Sequence, residues 1–184
     1  MKSKGFTIPE LLVALLIFSL IVGGAVNLLF TGIAAQRHFL ASGEVIDQTS
    51  FLAEYMSRRV RQAQKDLVGT CLSQAGLNYE KISEPGDGGI RFLNNGGQCH
   101  TFFLENGRIK EVIGPPGTSA QELTSDNLLV NALDFELMGE DQVDDVQPRV
   151  SFIIDIQGQG IKPGSRPRIQ LQTTVSQRKI DVLQ

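Results

Sequence analysis

Residues 11–30, LLVALLIFSLIVGGAVNLLF, carry no charge, and Ser19 and Asn27 are their only strongly polar side chains. Twenty residues of helix rise about 30 Å, the thickness of a bilayer's hydrocarbon core. The run therefore predicts a membrane-spanning helix. Lys2 and Lys4 precede it, which by the positive-inside rule places the N-terminus in the cytoplasm and the rest of the chain outside. Glu10 stands immediately before the run. A carboxylate entering apolar surroundings costs roughly 2–4 kcal/mol unless it is paired, so its position needs a reason.

Three readings are open. The first is a cleaved secretory signal with its cut near Ala34 or Ala35, although the run exceeds the usual 7–15 residues of such signals. The second is an uncleaved signal anchor on a bitopic receptor or binding protein, where Glu10 has no role. The third makes GFTIPE, residues 5–10, a processing site. A lipoprotein is excluded because no cysteine precedes residue 71.

The helical pattern outlasts the apolar run. Val45, Thr49, Leu52, Met56, Val60, Ala63 and Leu67 recur at steps of four and three, and Phe51 and Tyr55 widen the stripe. Such spacing marks one face of a helix. Between residues 33 and 67 there is no proline, and only Gly43 interrupts. One helix from about Phe6 to Leu67 would be ~90 Å long. Pro9 falls in its first turn, where the missing N–H has no partner to lose. Gly23 and Gly24 lie mid-helix, each costing about 1 kcal/mol relative to alanine. They allow close helix packing in the membrane, or they form a soft joint.

From residue 69 the period changes. Turn signals at 84–89, 94–97, 105–108 and 114–117 separate short strand candidates at 79–83, 90–93, 99–104 and 108–113. Asn106-Gly107 suits a tight hairpin. Longer candidates follow at about 128–138, 149–156 and 168–176. In the last two, apolar and polar residues alternate, as in half-buried antiparallel strands. Packing the stripe of helix 33–67 on such a sheet gives a two-layer α+β domain. Phe102 and Phe103 are expected to face the core and the surface respectively.

The net charge is −3, and the 17 Lys and Arg are scattered apart from Arg58, Arg59 and Arg61. A nucleic-acid-binding domain would be basic, so nucleic acid is not an expected partner. The arginine cluster reads as solvated or paired with acids at a sheet edge, or as a contact with a neighbouring subunit. Cys71 and Cys99 belong to no CxxC, and His38 and His100 are the only histidines, too sparse for a zinc site. The two cysteines are either one disulfide, if the domain is exported, or two buried thiols. Glu140, Asp141, Asp144 and Asp145 do not follow a calcium-loop spacing and read as a solvated loop. Cys99 and His100 are adjacent on a strand and point to opposite faces, so they do not form a nucleophile pair. No set of catalytic or metal-ligating residues converges, and no cofactor motif appears.

The segment KGFTIPELLVALLIFSLIV resembles the N-terminus of type IV pilins and of the pseudopilins of type II secretion. The resemblance covers residues 1 to about 30. It implies a leader, residues 1–5, ending in Gly5 and removed by a prepilin peptidase, which then N-methylates Phe6. Glu10 takes the position of the family's fifth mature residue, which pairs with the N-terminal amine of a neighbouring subunit. Pro9 departs mildly from the aliphatic residue usual before it. The family also implies melting of part of the membrane helix, in the region where Gly23 and Gly24 lie. It implies residues 6–30 as a transmembrane and assembly helix, 31–68 as the amphipathic half of the helix, and 69–184 as an extracytoplasmic β-rich domain. The implied partners are other pilin or pseudopilin subunits, the prepilin peptidase, an inner-membrane assembly platform and membrane lipid, with nucleic acid added only if the filament is a DNA-uptake pilus. Size and the ending RIQLQTTVSQRKID are most similar to minor pilins or the J-type minor pseudopilin, and Glu10 argues against the K-type. The implied role is structural rather than enzymatic.

Overall fold

The computed structural model describes residues 5, 7–115, 117–139, 146–159 and 166–178. The chain divides into two compact units, Met1–Leu40 and Ala41–Gln184.

Helix α1 runs from Ile8 to Val60. Over residues 11–35 it is apolar on nearly every face, and throughout the first unit its side chains are exposed. Two of its hydroxyls bond their own helix: Ser19 Oγ donates to the Leu16 carbonyl at 2.8 Å, and Thr31 Oγ1 to that of Asn27 at 2.9 Å. In hydrocarbon a hydroxyl has no water to turn to, and this back-bonding satisfies it. Gly23 and Gly24 sit inside continuous helix, with open space where a Cβ would be.

In the second unit α1 becomes one-sided. Val45, Thr49, Leu52, Met56 and Val60 are buried, as the spacing predicts. The helix ends at Val60 rather than near Leu67. Ala63, the next residue of the stripe, is buried as part of strand β1 (Ala63–Gln64), and Leu67 is exposed. The end is well satisfied. The carbonyls of Val60, Arg61 and Gln62 accept from the Tyr79 hydroxyl (2.9 Å), the Arg178 N–H (2.9 Å) and the Asn95 N–H (2.9 Å). Helix-terminal carbonyls lack intrahelical partners, and here three distant segments supply them. Arg58 and Arg59 in the last turn also suit the negative end of the helix dipole.

Two antiparallel sheets complete the unit. The first comprises β1, β2 (Tyr79–Ile82), β3 (Gly89–Asn94), β4 (Cys99–Glu105), β5 (Arg108–Ile113) and β6 (Gln121–Glu122). Its order is β1-β3-β4-β5-β6, with β2 also on β3. The second has β7 (Leu128–Met138), β8 (Arg149–Gly158) and β9 (Arg168–Ser176), in that order. The expected single sheet is thus split. Strand β6 occupies the outer edge of β5, so β7 begins a new sheet. One backbone bond, from Val130 N–H to the Gly107 carbonyl (3.0 Å), ties the hairpin turn to β7. That turn has positive φ at both Asn106 (54°) and Gly107 (71°), the backbone that matches the strand twist.

The core is shared by the second half of α1 and both sheets. It includes Leu52, Met56 and Val60 from the helix, Phe92, Phe102 and Ile109 from the first sheet, and Val150, Phe152, Ile154 and Ile156 from the second. Phe103 departs from the expectation: it is buried, only 2 % exposed. The turn at Gly86 lies against the Leu104 carbonyl and the Phe103 ring, closer than any side chain at residue 86 would permit. A glycine there (φ 72°) lets the turn cover the ring.

Candidate functional site

Phe6 lies outside the described residues, as do Lys2, Lys4 and the acidic positions Glu140, Asp141, Asp144 and Asp145. Gly5 and Thr7 are exposed and precede the helix. The Leu11 N–H donates to the Thr7 carbonyl at 3.1 Å, making Thr7 the N-cap. Three residues on, the Glu10 carboxylate reaches back to the Thr7 N–H (3.5 Å) and hydroxyl (3.4 Å). A Thr-x-x-Glu arrangement of this kind occupies donors that the first helical turn leaves unpaired. Glu10 also lies at the positive end of the helix dipole. These neutral donors hold the carboxylate in place, and its second oxygen has no hydrogen bond among the described residues. Pro9, the second helical residue, costs no hydrogen bond. Behind this turn stands the only described helix long and apolar enough to cross a membrane.

Among the described residues of the second unit, three groups of chemistry-bearing side chains stand out. The first is sealed beneath α1. Glu111 accepts from the Tyr55 hydroxyl (2.7 Å) and bonds His100 Nδ1 (3.1 Å). Asn94 Oδ1 accepts the N–H groups of Gly96 (2.9 Å) and Gln98 (2.8 Å), which turns its Nδ2 toward His100 Nε2 at 2.9 Å. The amide thereby fixes the imidazole tautomer, with Nε2 accepting and Nδ1–H donating to Glu111. Phe92 stacks on the ring, and Arg59 bonds the Tyr55 hydroxyl while lying over its ring. Burial pushes the Glu111 carboxyl up; the bonds from His100 and Tyr55, with the Arg59 charge, outweigh it and hold the carboxyl below its ordinary range. Burial pushes the Tyr55 phenol up. His100 and Glu111 side chains are 0 % and 1 % exposed, so no substrate reaches them. The cluster locks the last turns of α1 onto β4 and β5.

The second cluster is a backbone nest around Asp66. Its carboxylate accepts N–H groups from Val68 (3.3 Å), Gly69 (2.9 Å), Thr70 (3.2 Å), Cys71 (2.7 Å) and Leu72 (3.0 Å). Burial alone would raise this carboxyl, but the backbone donors prevail and bring it from 3.8 to about 2. The same loop is tethered by the disulfide Cys71–Cys99, which closes 28 residues with Cα atoms 5.3 Å apart. The third cluster lies across the second sheet. Asp155 pairs with Arg168, whose Nε stands 2.8 Å and 3.1 Å from the two carboxylate oxygens, with Nη2 also in contact. Asn131, at the β-bulge of β7, adds a bond of 3.1 Å. The Arg168 bonds, working against burial, lower the Asp155 carboxyl.

Among the described residues, no three His, Cys, Asp or Glu side chains group as metal ligands. Of the expected site residues, the structure joins Cys71 to Cys99, while Gly23 and Gly24 stay within helix. Asp66 and Glu111 were not singled out in the sequence. Glu111 shares an alternating face with Ile109 and Ile113 in RIKEVI, and a carboxylate on an apolar strand face is the signal that points to it.

Residues 1–26 match the family model described as the prokaryotic N-terminal methylation motif. That motif is characteristic of type IV pilins and pseudopilins. With a long N-terminal apolar helix joined to antiparallel sheets, the chain has a pilin-like α+β architecture. Motif and helix together fit a membrane-anchored, pilin-like protein with an exported globular domain, and the motif in general implies other pilin-type subunits and a prepilin peptidase as partners. No curated protein and no solved structure matches the chain.

Proposed function

We propose that the chain is a minor pilin or minor pseudopilin of a type IV pilus, type II secretion or DNA-uptake filament, with a structural role and no reaction of its own. The methylation motif over residues 1–26 carries this reading. In it, residues 1–5 are a leader, cleavage falls between Gly5 and Phe6, and Phe6 becomes the methylated N-terminus. Residues 6–30 anchor and assemble the subunit, 31–68 contain the amphipathic half of the helix, and 69–184 form the outer domain. The N-terminus faces the cytoplasm and the outer domain lies beyond the inner membrane. An assembly platform and membrane lipid join the other subunits as partners.

Glu10 meets the Phe6 amine of a neighbouring subunit. Its place in the first helical turn, held only by neutral donors of Thr7 among the described residues, supports this. A carboxylate in apolar surroundings gains most from a cation, and cleavage creates one. Gly23 and Gly24 form the soft joint of the helix, supported by their low helix propensity. Mass spectrometry of the processed protein is expected to find an N-methylated Phe6 terminus. Glu10→Val is expected to insert into the membrane normally and to fail in filament assembly. Normal incorporation of that variant would exclude the amine pairing.

A further inference from the structure

The face of the first sheet that turns away from α1 is covered by loops. On β4, Phe102 faces the helix and meets Tyr55 edge to face, with ring centres 6.4 Å apart. Its neighbours Thr101 and Phe103 therefore face the other way, yet both are buried. The disulfide holds the loop around Cys71 against Cys99 on this face. The turn at Gly86 lies on Phe103, and the Gly114 N–H bonds the Cys99 carbonyl at 2.8 Å.

Between these loops lies a pocket of about 190 Å³. Its floor is a row across three strands, with Arg91 opposite Thr101 and Thr101 opposite Val112. The disulfide, Pro85 and Pro115 stand around it. These walls are fixed from within. Thr118 donates to the Pro115 carbonyl through its N–H (3.2 Å) and its hydroxyl (2.8 Å), and the Cys71 N–H is held by Asp66. A pocket tied down in this way needs little ordering on binding. It is smaller than the clefts that enclose drug-sized ligands, which start at about 300 Å³, and close to a cavity of about 150 Å³ that takes one small ring. It therefore suits a group the size of one side chain.

Arg91 is the only charged residue in the described lining. Its Nε donates to Thr101 Oγ1 at 3.4 Å, which lays the guanidinium over the floor. Arg108 and Arg168 each hold an aspartate, whereas Arg91 has no ion pair among the described residues. Glu80, opposite Arg91 on β2, instead accepts the Ser73 N–H at 3.2 Å. With Nε engaged, the Nη1 and Nη2 edge keeps a fork of donors that matches the two oxygens of a carboxylate. One cation among mainly apolar walls selects a monoanion with an apolar body, because further charge would be buried there unpaired.

We infer that this pocket binds a carboxylate carried on a short apolar body, with Arg91 on the carboxylate and Val112, the disulfide and the prolines against the body. A free aliphatic acid and the C-terminal residue of a protein chain both present that chemistry. The inference goes beyond the proposed function and does not depend on cleavage after Gly5.

Titration of the full-length chain in detergent with isovalerate, followed by its amide NMR signals, tests it. The signals of Thr101, Val112 and Thr118 are expected to shift and to saturate at millimolar acid. Neutral isovaleramide should bind more weakly by about tenfold or more, and Arg91→Gln should weaken the acid to the same degree. Arg91→Lys, which keeps the charge without the fork, should fall between Arg91→Gln and the unmodified chain. Val112→Phe, at a half-buried position, should fill the pocket and abolish the shift with Arg91 in place. The tripeptide Gly-Gly-Leu separates the two sources. Tighter binding than isovalerate assigns the site to a chain terminus, and equal or weaker binding assigns it to a small acid. No saturable shift with either probe, or equal binding of isovalerate and its amide, would overturn the inference.

Discussion

Leu16 and Leu52 stand on the same helix, yet Leu16 is 60 % exposed and Leu52 only 1 %. The first half of α1 has apolar side chains on every face and buries none of them within its unit. The second half buries one stripe and turns charges outward. An α-helix satisfies its own backbone in either medium, so side-chain pattern alone decides which solvent each half suits. The lesson is that one continuous helix can be two functional objects. The outer half is stabilised by the sheets, and the apolar half has to find lipid or other helices.

The contrast can be broken most forcefully by truncation. Leu52→Ala is expected to destabilise the outer unit by about 2–5 kcal/mol, read from denaturant unfolding of the detergent-solubilised chain. Leu16→Ala should leave that transition unmoved. Equal effects would mean that the two halves do not differ as described. Next in size is the disulfide. Replacing Cys71 and Cys99 together with serine should cost about 3–4 kcal/mol, the chain-entropy value for a loop of this length, without altering membrane insertion.

The Asp66 nest gives a pH signature to the outer unit. Its carboxyl is at about 2 in the folded chain against 3.8 ordinarily. A folded value below the unfolded one contributes stability above about pH 4, and that contribution is lost as pH falls toward 2. The expected loss is about 2 kcal/mol, and Asp66→Asn should flatten this part of the pH–stability curve. An unchanged curve in that variant would show that the nest does not hold the charge. At the small end, Arg58→Ala removes the exposed pair with Glu54 and one exposed charge from the helix C-terminus and should change stability by less than about 1 kcal/mol.

The sequence made the stripe on α1 legible because burial of a helix face has a period, and Val45 through Val60 keep it. Where the helix ends was not legible. Ala63 continues the spacing but is buried by pairing with Asn94 in a strand, and strand β1, like β6, is too short for alternation to register. Leu67 continues the period as well, yet the Asp66 nest turns the chain and leaves it in solvent. Long-range polar clusters are hidden for a different reason: Tyr55 and Glu111 meet across 56 residues, and nothing local announces such a meeting. The hairpin at Asn106-Gly107 could be read directly, since two positive φ angles demand those residue types. At the N-terminus the legible part was chemical. Gly5, Phe6 and Glu10 followed by an uncharged run form a pattern that the methylation-motif match also covers.

In the proposed reading the chain is cut between Gly5 and Phe6 and methylated on the new terminus before assembly. Mass spectrometry of the N-terminal peptide from membranes of cells that contain the prepilin peptidase tests it most directly. A peptide beginning at N-methylated Phe6 is expected. A mature protein that begins at Met1, or near residue 35, would contradict it.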